Sequence, residues 1–119
     1  MRLFVERTGA QVAARIERAE TFWSRLVGLL GRARLDDDAG LLIVPCNSVH
    51  TFFMRFPIDV AFLDRNGLVI RAIADLKPWR ATRIHARAHS TLELNSGALA
   101  RAGVREGDRL VESPTLQTT

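Results

Sequence analysis

Cys46, His50 and Asp59 are the residues whose types could do chemistry. A thiol within hydrogen-bond reach of an imidazole is an activated nucleophile, and a carboxylate behind the imidazole would orient it. All three fall in one stretch, PCNSVHTFFMRFPIDVAFLD over residues 45–64, which holds the single cysteine of the chain. If residues 46–54 are extended, side chains alternate, and Cys46, Ser48, His50, Phe52 and Met54 share a face. Neighbours two apart on a strand are roughly 6.6 to 7 Å from one another. Ser48 can then touch either partner, whereas Cys46 and His50 meet only if the chain bends. The plainer reading makes Cys46 a small buried hydrophobe and His50 a histidine satisfied by hydrogen bonds. Zinc on Cys46 and His50 would need further ligands from His85, His89, Asp59 or Asp64, and none stands at motif spacing. No metal and no cofactor is expected.

Asp59 interrupts a run, residues 58–63, in which every other position is apolar. On a buried strand an ionised carboxylate must be paired or hydrogen-bonded, or its pKa must rise. It either ties down the turn around Arg55, Phe56 and Pro57 by accepting backbone N–H groups, or it contacts a ligand. A second feature is residues 77–89, where Lys77, Arg80, Arg83 and Arg87 stand with no acid, so that this segment accounts for the whole net charge of +4. A two-residue alternation sets Arg83, His85, Arg87 and His89 on one side. Arginine presents a fork matched to carboxylate or phosphate, and Trp79 adds a stacking face. The segment is an anion site or a solvated basic loop. Single-stranded nucleic acid would need several stacking aromatics along a groove, and only Trp79 stands here, so nucleic acid is not an expected partner.

At 119 residues, 47% of them hydrophobic and 25% charged, the chain has the size and composition of one folded domain spanning 1–119. No apolar run approaches the roughly 20 residues that cross a bilayer, and the start MRLFVERTGAQ lacks the apolar stretch of a signal peptide. A cytoplasmic protein with no membrane partner is the expectation, and a lone cysteine agrees with a reducing compartment.

The elements that must carry these residues follow from periodicity. Residues 3–7 and 12–18 alternate around Thr8 and Gly9, which predicts an opening hairpin. Thr21 is a good N-cap, and Phe22, Leu26, Leu29 and Leu30 form an apolar stripe that predicts a helix over about 21–30, stopped at Gly31. Residues 41–44 read as a strand buried on both faces. The sequence Asp64-Arg65-Asn66-Gly67 predicts a type I turn with Gly67 as a left-handed bulge residue. That register sets Phe62 opposite Ile70 and Val60 opposite Ala72. In the strand from Ser90, Leu92 and Leu94 point inward and Glu93 outward. Asn95 or Ser96 caps a short helix over about 96–102, ended by Gly103, and residues 113–119 are a frayed tail.

The helix TFWSRLVGLLGR, the central stretch GLLIVPCNSVHTFFMRFPIDVAFLDRNGLVI, then LKPWR and LELNSGALARAGVREGDRL together resemble domain-of-unknown-function family 192, found in bacteria and archaea. The resemblance implies a compact α+β domain with a strand-rich core and carries no activity, substrate or cofactor with it. It centres on the steps that are here Phe53-Met54 and Ile58-Asp59. The resulting expectation is an α+β fold with a mostly antiparallel, curved sheet or partial barrel. Its leading function is non-catalytic binding of a small polar or anionic ligand by His50, Asp59, Trp79, Arg80 and Arg83. The alternatives are a small hydrolase or transferase using Cys46 or His50 with Asp59, and an interaction module whose basic segment, residues 77–89, meets an acidic protein.

Overall fold

The computed structural model describes residues 1–21, 29 and 32–113. The helix expected over 21–30 falls largely outside the described residues, as do residues 114–119 of the expected tail. Among the described residues the protein is built from two open sheets and one short helix, so no barrel closes. Strands β1 (Leu3–Val5) and β2 (Gln11–Ala13) form the predicted hairpin around Thr8 and Gly9. The second arm is shorter than its alternation predicts. The N–H groups of Ala14 and Arg15 both point to the Asp38 carbonyl at 2.9 Å, which breaks the strand. The chain then continues as β3 (Arg15–Ala19) in the other sheet.

Five strands make the larger sheet, in the order β3, β4 (Ala39–Ile43), β7 (Ser90–Asn95), β5 (Ile58–Leu63), β6 (Val69–Leu76). Only β3 and β4 run parallel; the other pairings are antiparallel. The last strand, β8 (Leu110–Val111), joins β1, and the order β2-β1-β8 makes the smaller sheet. Arg7 grips Asp108 with two bonds, Nε at 2.7 Å and a terminal nitrogen at 3.0 Å, and so fastens the end of the hairpin to the turn before β8. That bidentate pair holds the Asp108 carboxyl below the usual carboxylate range.

Strand β5 is buried at every position because both faces of the sheet are covered. Ala61 and Leu63 face a core shared with β1, β2, β8 and the helix α1 (Ala98–Ala102). Ile58, Val60 and Phe62 face a second core with Leu41, Ile43, Met54, Leu29 and Leu35. The turn at residues 64–67 forms as its chemistry predicts: the Gly67 N–H reaches the Asp64 carbonyl at 3.1 Å and Gly67 has φ 81°. The register beyond it does not. Leu63 pairs with Val69, but a second irregularity before Phe62 sets Phe62 opposite Arg71 and Val60 opposite Ile73.

Cover on both faces also corrects Glu93, which lies inside the second face at 4% exposure instead of pointing to solvent. It is set between Leu41 and Val60 in the neighbouring strands. Burial pushes its carboxyl up to about 7, against an ordinary value of 4.5, with Arg32 opposing. A raised carboxyl means the folded chain holds a proton that the unfolded chain releases, so stability falls as pH climbs from 4.5 to 7 and levels off above. We expect urea titrations to show wild type losing roughly 3 kcal/mol relative to Glu93→Gln across that window. Parallel pH profiles for the two proteins would contradict the burial of this side chain.

Candidate functional site

Residues 46–54 are not the extended strand on which a shared face of Cys46, Ser48, His50, Phe52 and Met54 depends. They form an irregular loop whose only strand-like contact among the described residues is a bridge between His50 and Ala81. Its partner is the equally irregular segment 77–89, and backbone groups lace the two together. The Thr82 N–H meets the Val49 carbonyl at 2.9 Å, the His85 N–H meets the Asn47 carbonyl at 2.9 Å, and the Cys46 N–H meets the His89 carbonyl at 3.0 Å. Irregular backbone is held in one conformation only when its polar groups find such partners.

Thr51 is the centre of the lacing and has no exposed surface. Its hydroxyl donates to the Lys77 carbonyl at 2.6 Å and accepts from the Arg80 N–H at 2.9 Å. Its own N–H donates to the Arg80 carbonyl at 2.8 Å, and its carbonyl accepts from Trp79 at 3.0 Å and Met54 at 3.1 Å. Nothing in the sequence singles out this threonine.

These bonds hold His50, Phe52, Phe53 and Trp79 in one cluster of rings at the surface. His50 stacks on Phe52 with centroids 5.1 Å apart, Phe52 lies 6.1 Å from Trp79, and Phe53 meets Trp79 edge-on at 4.7 Å. His50 and Trp79 therefore come together as a ligand site would require, with Arg80 beside them in sequence. Arg83 lies elsewhere, on a cavity described below.

Asp59 joins neither group. Its carboxylate has no exposed surface. Oδ1 accepts the Asp75 N–H at 2.9 Å, and Oδ2 accepts the N–H groups of Gly97 at 3.1 Å and Leu99 at 3.0 Å. It therefore caps α1 from a strand 38 to 40 residues earlier in the chain. The N-cap residue Gly97 has no side chain to do so, and Asn95 and Ser96, the caps suggested by the sequence, bond instead to Asp37 and Asp75. Asp59 does tie down backbone N–H groups, but they belong to Asp75 in β6 and to the turn at Gly97 before α1, not to the turn at residues 55–57.

The half-buried Cys46 thiol donates to the Ser48 carbonyl at 3.1 Å, and among the described residues no hydrogen bond joins it to His50 or joins His50 to Asp59. A nucleophile, a base and an orienting carboxylate are thus not assembled here. Among the described residues no three His, Cys, Asp or Glu side chains gather as metal ligands.

The remaining geometry lies around His85. Its ring packs on Phe62 with centroids 4.2 Å apart, and its Nε2 is buried with no hydrogen-bond partner among the described residues. Burial, followed by the nearby Arg83 and Arg71, holds this imidazole below its ordinary value, so it is neutral at pH 7. It lines a cavity of about 340 Å³ with Arg71, Arg83, Arg87, Ile70, Ile84 and Ala86. The alternation of residues 83–87 pointed to three of these side chains. Arg71, contributed by the edge strand β6 and touching Glu106 at 3.3 Å, was not among the sequence candidates.

The model of the DUF192 family, described as Uncharacterized ACR, matches residues 4–111. A UPF0127 protein of Pyrococcus furiosus is 32% identical over 107 residues, which cover 86% of this chain and 90% of that protein. A second, from Pyrococcus horikoshii, is 34% identical over 97 residues, covering 77% and 82%. The crystal structure of a protein of unknown function from Novosphingobium aromaticivorans superposes with a TM-score of 0.82 at 24% identity, covering 93% of this chain and 84% of that one, and shares the fold.

If Asp59 is a clamp for three backbone donors, Asp59→Asn must strand at least one of them inside the protein. The expected loss is about 3 kcal/mol in urea unfolding with an unchanged m-value. A loss within about 0.5 kcal/mol, the range of ordinary surface changes, would return Asp59 to the list of ligand contacts.

Proposed function

We infer that this chain, which belongs to the DUF192 family, is a non-catalytic binding domain for a small anionic ligand held by Arg71, Arg83, His85 and Arg87. The observation that carries the reading is a cavity lined by Arg71, Arg83 and Arg87 and no acid, beside the His85 ring, whose buried Nε2 has no partner among the described residues. A buried polar atom left unpaired costs roughly 1–3 kcal/mol. A rotation of the His85 ring toward the cavity would let Nε2–H donate to a ligand oxygen and remove that cost, while the arginines supply charge and planar forks for a carboxylate or phosphate. The imidazole is neutral because it is desolvated beside two cations, so it acts as a hydrogen-bond donor and the charge comes from the arginines. A cavity near 340 Å³ stands at the small end of ligand sites, which favours compact anions such as phosphate or a short polycarboxylate. Arg83 carries over from the sequence candidates; Asp59, with its lone pairs engaged, is left out.

The alternative of a small hydrolase or transferase has less support, because the Cys46 thiol is spent on its own loop and Asp59 on α1. Thermal unfolding in inorganic phosphate and in citrate, each matched for ionic strength with chloride, tests the binding reading. Ligand at a hundredfold excess over Kd stabilises the fold by about 2.7 kcal/mol, and the paired change Arg83→Ala with Arg87→Ala is expected to abolish the rise in Tm. Equal Tm in chloride and in both anions would overturn it.

A further inference from the structure

We propose that the ring cluster of His50, Phe52, Phe53 and Trp79 docks the protein onto the surface of an anionic lipid membrane. This inference stands apart from the anion cavity and rests on different side chains. Phe53 is 70% exposed and Trp79 56%, large apolar surfaces to leave in water. Both residues hold left-handed backbone, at φ 66° and 67°, a conformation unfavourable for bulky side chains. The buried Thr51 holds this arrangement in place, since its carbonyl binds the Trp79 N–H and its hydroxyl closes the turn from Lys77 to Arg80. A strained backbone fixed from below, with its rings projecting outward, is what a docking element requires.

The charge around the rings has one sign. The loop segments that carry the rings, residues 50–57 and 77–82, contain three cations, Arg55, Lys77 and Arg80, and no acid. The nearby Asp75 carboxylate is engaged by Lys77 at 2.8 Å and by Ser96 at 2.8 Å. Two occupants fit such a surface, an acidic protein or an anionic bilayer, and area favours the bilayer. The exposed parts of Phe52, Phe53 and Trp79 amount to on the order of 350 Å², well under the roughly 800 Å² per partner of a stable protein interface. A bilayer interface accepts a small aromatic plug, provided that a second signal such as a basic collar accompanies it. The sequence led to an expectation of no membrane partner because no segment could cross a bilayer, and among the described residues no helix is long and apolar enough to cross. Lying on a membrane needs no such helix.

Sedimentation with phosphatidylcholine–phosphatidylserine vesicles, against pure phosphatidylcholine vesicles, tests the proposal. Wild type is expected to partition at least about tenfold more strongly onto the anionic vesicles, with the difference shrinking as salt rises. Asparagine tolerates the left-handed backbone, so Phe53→Asn with Trp79→Asn removes the rings without forcing the loops to change. This variant is expected to keep the wild-type circular dichroism and any phosphate-induced rise in Tm while losing about tenfold in partitioning. No partitioning of wild type onto either vesicle, or equal partitioning of wild type and the variant, would overturn the docking surface. Partitioning lost only on Arg83→Ala with Arg87→Ala would also overturn it, by assigning the lipid headgroup to the cavity.

Discussion

A carboxylate with no exposed surface persists only where fixed donors replace its water, and Asp59 has three of them, all backbone N–H groups. Two belong to the start of α1, a helix of five residues that is far too short to stand by itself. The third belongs to Asp75, whose left-handed backbone at φ 53° marks the irregularity where two residues of β6 face one of β5. One side chain therefore fixes three things at once: the position of β5, the place where α1 begins, and the point where β6 leaves the sheet. The segment that leaves there is the one that carries Lys77, Trp79 and Arg80. The direction of the exposed loop is set from inside the core.

The second constraint acts from the other loop. Residues 45–54 and 77–89 lack regular ladders, yet their backbone groups are satisfied because Thr51 and Thr82 substitute side-chain and single backbone bonds for a sheet. Such bonds are short-range and specific. They allow neighbouring residues to take left-handed conformations that a ladder would forbid, and Phe53 and Trp79 use that freedom. The same segment then turns His85 inward onto Phe62 while leaving Arg83 and Arg87 at the surface. Inward and outward positions within five residues of one loop create the cavity.

Local chemistry made part of this fold legible. The opening hairpin, the turn at Asp64 to Gly67 and the helix ended by a left-handed Gly103 each depend on residues adjacent in the chain. The failures share a different cause. The register of Phe62 depends on a second irregularity in β6 that no turn residue marks. The position of Glu93 depends on whether one or both faces of the sheet are covered, which alternation in a single strand cannot express. Asp59 stood out as an anomaly among apolar neighbours, but its donors lie 16 to 40 residues away and are backbone atoms, which leave no trace in residue identity. For the same reason Thr51 gave no signal, and Arg71 came to the cavity only through the pairing of β6.

The polar groups of the central stretch divide by whether their bonding is complete. Asp59 and Thr51 have their hydrogen bonds met inside the protein, and Cys46 directs its thiol to the neighbouring loop carbonyl. A group in that state can be reactive only after its structural bonds break, at a cost in stability comparable to the bonds themselves. His85 Nε2 is different, because among the described residues it has burial without a partner, and of the cavity arginines only Arg71 is paired with an acid, Glu106. A ligand that drew the His85 ring toward the cavity would satisfy this unmet bonding capacity without breaking a hydrogen bond among the described residues. That capacity lies in the basic segment of the chain, outside the stretch richest in reactive residue types. Density of reactive types in the sequence marks where the core needs polar ties, and the binding capacity is found where those ties stop.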